Sequence, residues 1–202
     1  MVSAEDPIEL SAETVVHVSR GAEKLIGGLA AFGYKCRDRI ALDVGASTGG
    51  FTEVLLERGA RHVFAVDVGR GQLHDRLRAD PRVTSLEETD ARTLTTELIA
   101  GPITAIVADV SFISLGKALP AAFALAEPGC WLIALIKPQF EVGPTLVGKG
   151  GIVRDAAARE RAVDDIRRWL SDDMGWRVTG VVASPITGGD GNSEYLIGAT
   201  KP

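Results

Sequence analysis

IALDVGASTGGF, residues 40–51, is the stretch from which the rest of this 202-residue chain can be read. An apolar run climbs to Asp43 and breaks into a turn holding Gly45, Gly49 and Gly50, and helical spacing resumes at Phe51, Val54 and Leu55. The pattern is strand, glycine turn, helix. Glycines let the backbone approach a ligand that a Cβ would push away, and the helix that follows aims unpaired N–H groups at the same spot. Asp43, Gly45, Ala46, Ser47, Gly49, Gly50 and Phe51 are therefore the first candidate contacts for a small polar or charged ligand. The same pattern also exists in folds where it serves only close helix packing.

Glycine spacing narrows the ligand. A dinucleotide turn reads G-x-G-x-x-G, whereas Ser47 stands here in place of the second glycine, and no Gly-Lys-Ser/Thr phosphate loop follows. An acidic residue just ahead of the turn suits a cofactor with a cationic end and no phosphate. S-adenosylmethionine, with its amino group and sulfonium, fits that description better than NAD or ATP.

Working outward, residues 62–67 (HVFAVD) read as a second buried strand ending on Asp67 and followed by Val68. Asp67 lies 24 residues beyond Asp43, close to the roughly 20-residue offset at which an acid meets ribose hydroxyls in nucleotide-binding βαβ units. A short strand at 83–86 leads to Asp90 and Ala91. Asp90 either accepts a hydrogen bond from an adenine amino group or caps a helix that follows. Residues 103–110 (ITAIVADV) form a continuous apolar strand carrying Asp109, and residues 131–137 (WLIALIK) form another ending on Lys137.

Helical spacing is expected at 21–32, with Lys24 in the first turn, at 51–58, at 72–79, and at 114–126 with a bend at Pro120. A longer helix follows the GKGG loop at 148–151, its inward face Val163, Ile166, Trp169 and Leu170 and its outward face of mixed charge. Alternating strands and helices predict an α/β, Rossmann-like fold, with a seven-stranded, mostly parallel sheet. The closing strands, at 176–183 and 194–199, are joined by a turn too short for a crossover helix, so the last strand should run antiparallel. Ligands in such folds bind outside the carboxyl ends of the strands. Asp43, Asp67, Asp109 and Lys137 share that rim, and the reversed last strand brings Glu194 to it as well.

Composition sets limits. A net charge of −5 excludes a wholly basic nucleic-acid surface, so any RNA contact is local or supplied by another domain. Two cysteines and three histidines make no metal-ligand spacing and no disulfide framework, so no metal is expected and a reducing, cytoplasmic setting fits. No apolar run approaches the roughly 18–20 residues of a membrane span, and the polar, acidic start lacks a signal pattern.

The segments VSRGAEKL, ALDVGASTGGFTEVLLERGA, VFAVDVGRGQL, DPRV, TDAR, ADVSFISL, LIKPQFEVG, VGKGGIVRD and SPITGGDGNSEYL, in that order, cover nearly everything from Ser19 to Leu196. As a set they resemble the TlyA-type haemolysin and ribosomal RNA 2′-O-methyltransferase family, related to the FtsJ-like methyltransferases. The resemblance implies S-adenosylmethionine as cofactor, RNA (ribosomal RNA or a ribosomal subunit) as partner, and a Lys-Asp-Lys-Glu tetrad at Lys24, Asp109, Lys137 and Glu194. Lys137 would then be the base or activator at the ribose 2′-hydroxyl, with the other three orienting it. The bland reading of Lys137 is a strand-end salt bridge. Two features depart from the family pattern. Members carry an S4-type RNA-binding domain before VSRG, where residues 1–18 here read as a leader or shortened linker, and Ala22 replaces a glycine of the family. The family name also raises a membrane-active haemolysin, and the departures a cofactor-binding module without catalysis.

Overall fold

A computed structural model describes residues 17–189 and 191–202; the expected leader lies outside the described residues except for its last two positions. One seven-stranded sheet organises the chain, in the order β3-β2-β1-β4-β5-β7-β6. The strands are β1 (Ile40–Val44), β2 (His62–Val66), β3 (Val83–Leu86), β4 (Ile103–Ala108), β5 (Ala126–Ile136), β6 (Arg177–Ala183) and β7 (Tyr195–Thr200). The first five pair in parallel. β7 runs antiparallel between β5 and β6.

Both faces of the sheet are covered, which is why the central strands are apolar almost throughout, with Asp43 in β1 and Thr104 in β4 among the exceptions. On one face Leu42, Val44, Phe64, Ile106, Leu132 and Ile136 pack with Leu115, Phe123, Ile166 and Leu170 of the helices α4 (Leu115–Ala118), α5 (Pro120–Ala124) and α7 (Ala156–Arg168) with its continuation. On the other, the alternate residues Ala41, Val63, Ala105, Val107, Ile133 and Leu135 meet α1 (Gly21–Phe32) and α2 (Gly50–Glu57) through Leu25, Leu29, Val54 and Leu55. The period of two along each strand sorts the residues between two cores.

α1 lies close on the sheet because of its glycines. A Cβ at Gly28 would stand 3.0 Å from Ile133 Cγ2, and one on Gly198 of β7 would stand 2.7 Å from the Phe32 ring. That close approach brings the first turn of α1, and Lys24 with it, to the carboxyl end of the sheet.

Three expectations are corrected. The helix expected at 114–126 is two short ones, because Pro120 has no N–H to continue the first and takes the opening position of the second. β5 then begins at Ala126, ahead of Trp131. The helix expected at 72–79 shrinks to α3 (Asp75–Arg78), capped by the His74 ring accepting from Arg76 N–H, because the Gln72 and Leu73 amides instead donate to Glu87 Oε1 at 2.5 and 3.0 Å. On the long helix, Ile166 and Leu170 are buried as expected, but Ala158 and Ala162 complete the inward face while Val163 and Trp169 are only half-buried.

Candidate functional site

The glycine turn is built against two neighbouring strands. Gly45 N–H and Ala46 N–H both donate to Val66 O of β2, at 2.9 and 3.0 Å. On the other side Asp109 N–H donates to Val44 O at 3.0 Å. Gly45 has φ +84°, and a Cβ there would stand 2.6 Å from Asp109 O. Only glycine lets the turn and the end of β4 lie against each other.

A cleft of about 1180 Å³ opens over this junction. Of the expected cofactor contacts, Gly45, Ser47, Asp67, Val68, Asp90 and Ala91 line it, together with Asp109. A smaller cavity of about 310 Å³ adjoins it, lined by Gly45, Ala46, Ser47, Gly50 and Phe51 and by Lys24, Asp109 and Lys137. Gly45, Ser47, Asp109 and Ser111 border both.

Asp43 and Gly49 line neither cavity, and the physical reasons differ. Asp43 is fully buried inside β1, where Oδ2 accepts from Thr52 Oγ1 at 2.7 Å and Oδ1 has no partner among the described residues. Burial pushes its carboxyl up to about 7; the charges of Asp109 and Asp67 push the same way and the Thr52 hydrogen bond opposes them. Gly49, at φ +98°, faces Leu77 and Leu73, so its missing side chain makes room for α3 and not for a ligand.

Asp67 is held in place by the turn. Its Oδ2 accepts from Ser47 N–H at 2.8 Å and its Oδ1 from Gly69 N–H at 2.7 Å. Of the two readings of Asp90, the structure contains the cap: Oδ1 accepts from Arg92 N–H at 2.9 Å at the start of a 3₁₀ turn at Ala91–Thr93. The Arg92 side chain beside it holds the Asp90 carboxyl down at about 2.

The four tetrad residues form one connected group. Lys24 Nζ donates to Glu194 Oε2 at 2.6 Å and stands 3.6 Å from Asp109 Oδ2. Lys137 Nζ is 2.5 Å from Asp109 Oδ1. Because Asp109 Oδ1 has no aligned hydrogen bond, that contact is an ion pair, whereas Lys137 Nζ donates a hydrogen bond to Ser111 Oγ at 2.9 Å. Two cations and two carboxylates balance. Both lysines are 8% exposed and Glu194 is 4% exposed, so none of the three is solvated away from its partners. Topology explains the meeting: Ile136 and Tyr195 are register partners on β5 and β7, and Lys137 and Glu194 are the next residues outward on each.

Sequence reasoning missed several lining residues. Ser111 is one, and a serine two residues after a strand-end acid carries no signal of its own. Phe112 is another, 92% exposed at φ +66° and 5.2 Å from the Phe140 ring. Glu141 lines neither cavity but supports the wall beside them: it accepts from Leu115 N–H at 2.9 Å, and burial pushes its carboxyl up.

Residues 17–201 match the FtsJ-like methyltransferase family. A 16S/23S rRNA (cytidine-2′-O)-methyltransferase TlyA from Mycobacterium tuberculosis is 53% identical over 180 residues, which are 89% of this chain and 67% of that protein. Hemolysin A from Brachyspira hyodysenteriae is 42% identical over 192 residues, covering 95% of this chain and 79% of that protein. Among solved structures, a hemolysin candidate from Streptococcus thermophilus superposes with a TM-score of 0.89 at 42% identity, covering 95% of this chain and 69% of that one. The chain belongs to the FtsJ-like methyltransferase family.

Proposed function

We propose that this protein is an S-adenosylmethionine-dependent 2′-O-ribose methyltransferase acting on RNA, with ribosomal RNA as its substrate. The observation that carries this reading is the ion-paired group in which Lys24, Asp109 and Lys137 line the cavity bordering the glycine turn and Glu194 stands behind Lys24. The M. tuberculosis relative's name supplies the substrate class.

The large cleft suits the cofactor in size and chemistry. Gly45, Ala46 and Ser47 would hold its amino-acid end, Asp67 and Val68 its ribose, and Asp90 and Ala91 the adenine side. Asp43 and Gly49 would support the turn from below. Bound there, the cofactor supplies an electrophilic methyl group. The chain's own residues do the rest. Lys137 would meet the acceptor 2′-hydroxyl and direct its lone pair, and it takes the hydroxyl proton only in the neutral form, after its own proton has passed to solvent. Asp109 fixes Lys137 on one side and Lys24 on the other, and Glu194 anchors Lys24 from behind. Holding the acceptor in line is worth up to roughly 7–11 kcal/mol in favourable cases.

Titration calorimetry with S-adenosylmethionine, followed by methyl transfer to purified ribosomal subunits, tests the assignment. Lys137→Ala should keep cofactor affinity and lose transfer; full activity in that variant removes Lys137 from the chemistry. The Brachyspira name keeps a membrane-active reading in view. Among the described residues no helix is long and apolar enough to cross a membrane, and leakage of liposomes by the purified protein would favour that reading instead.

A further inference from the structure

Asn192 has no part in the chemistry above, yet it is 2% exposed and both polar atoms of its side chain have partners. Its Oδ1 accepts from Val153 N–H at 3.1 Å and its Nδ2 donates to Gly151 O at 2.9 Å. One buried amide thus ties the glycine-rich segment at 148–154 to the loop that precedes Glu194. That loop is folded on itself, with Gly188 N–H donating to Asn192 O at 3.0 Å and Gly191 N–H to Gly188 O at 2.9 Å. Its residues Ile186, Thr187 and Gly189 form one wall of the catalytic cavity. The far end of the segment is also tied down, since Arg159 Nη1 donates to Val153 O and Arg154 O, both at 2.9 Å.

The glycine-rich surface segment is anchored through Gly151, Val153 and Arg154, and its turn is closed by Gly148 N–H donating to Ile152 O at 3.0 Å; what it presents is positive charge. Lys149 and Arg154 are both exposed, and among the described residues neither forms an ion pair. The neighbouring Asp155 caps α7 through Ala157 N–H at 2.9 Å and stands 3.9 Å from Arg161. Arg20, exposed and likewise without an ion pair among the described residues, lines the catalytic cavity. Lys149 and Arg154 line neither cavity themselves; in a chain of net charge −5 they are cations on a segment joined through Asn192 to the loop that lines the cavity.

We propose that the segment at 148–154 holds the phosphodiester backbone of the acceptor RNA, and that Asn192 latches this track to the wall of the catalytic cavity. The proposal rests on the methyltransferase reading and adds to it where the strand lies. Phosphates bind through charge without reading sequence, so the track positions the strand while the cavity selects the ribose.

Filter binding of transcribed 23S ribosomal RNA across a salt series tests the track without needing catalysis. Each phosphate contact to a single strand adds about 0.7 to the salt slope. Lys149→Glu with Arg154→Glu should lower the slope by about 1.4 and weaken binding roughly 10–30-fold at 0.1 M salt. Cofactor affinity and melting temperature should be unchanged, and in the transfer assay the loss should fall in KM. Asn192→Ala should weaken RNA binding with no change of charge, while cofactor affinity stays in place. An unchanged salt slope in the double variant overturns the track, and wild-type RNA affinity in Asn192→Ala overturns the latch. A wild-type protein that neither binds RNA nor transfers methyl would instead sink the functional reading beneath both.

Discussion

Asp43→Asn should make the protein more stable at alkaline pH and leave it nearly unchanged in acid. Asp43 is fully buried with one oxygen unpartnered among the described residues, and its carboxyl is raised from an ordinary 3.8 to about 7. A raised folded-state value means that folding favours the neutral acid. That contribution is complete below pH ~4 and is lost as pH climbs through ~7. A rise of about three units at about 1.4 kcal/mol each corresponds to about 4 kcal/mol lost between pH 4 and pH 8. Asparagine has nearly the same shape and no charge to desolvate. With its oxygen on Thr52 Oγ1, its amide occupies the place of the neutral acid's hydroxyl. The variant should therefore match wild type near pH 4 and exceed it at pH 8 by about 4 kcal/mol, or roughly 10 °C in melting temperature for a chain of this size. Thermal melts of both proteins at half-unit steps from pH 4 to 8 measure the difference directly. A pH-independent difference would refute the argument, as would a variant less stable at pH 8. Either outcome would mean that the carboxylate is held charged by something the burial argument omits. Calorimetry on the same samples separates a supporting role from a contact, since a residue lining neither cavity should leave cofactor affinity in place.

Lys24→Met leaves Glu194 buried without its cation and should cost about 3–5 kcal/mol; adding Glu194→Gln should recover most of that in denaturant melts without restoring transfer. Gly45→Ala combines a left-handed backbone, about 1–2 kcal/mol, with a contact 2.6 Å from Asp109 O. It should lower stability by roughly 2–5 kcal/mol once overpacking is included, and weaken cofactor binding measured by calorimetry. Asp109→Asn removes the carboxylate shared by both lysines and should abolish methyl transfer while the large cleft still binds cofactor; a fully active variant would contradict the assigned orienting role.

The legible parts of the sequence were those with a period or an end. Apolar runs at 40–42, 62–66 and 103–108 announce strands because residues covered on both faces rarely place a polar side chain, and the acid that follows each run marks the same pole of the sheet. The reversal of β7 follows from a connection too short for a helix, and with it the arrival of Glu194 beside Lys24. What could not be read depends on neighbours distant in sequence. Asp43 looks like any strand-end acid until the sheet closes over it. Gly49 looks like part of a ligand turn until Leu73 and Leu77 arrive against it. Asn192 lies in a run of small polar residues typical of a turn, and its two partners are 39 and 41 residues away.

The insertion of β7 between β5 and β6 has a consequence for the order in which the molecule is completed. A polypeptide growing from its amino end has already made every described residue lining the large cleft by Val147, while Glu194, the strong acceptor for Lys24, comes 47 residues later. Until β7 slides into the gap beside β5, Ile136 has no strand partner on that side and Lys24 has no anchor behind it. An emerging chain can thus assemble its cleft while the group of Lys24, Asp109, Lys137 and Glu194 is unfinished, and that group is completed only with the final closure of the sheet.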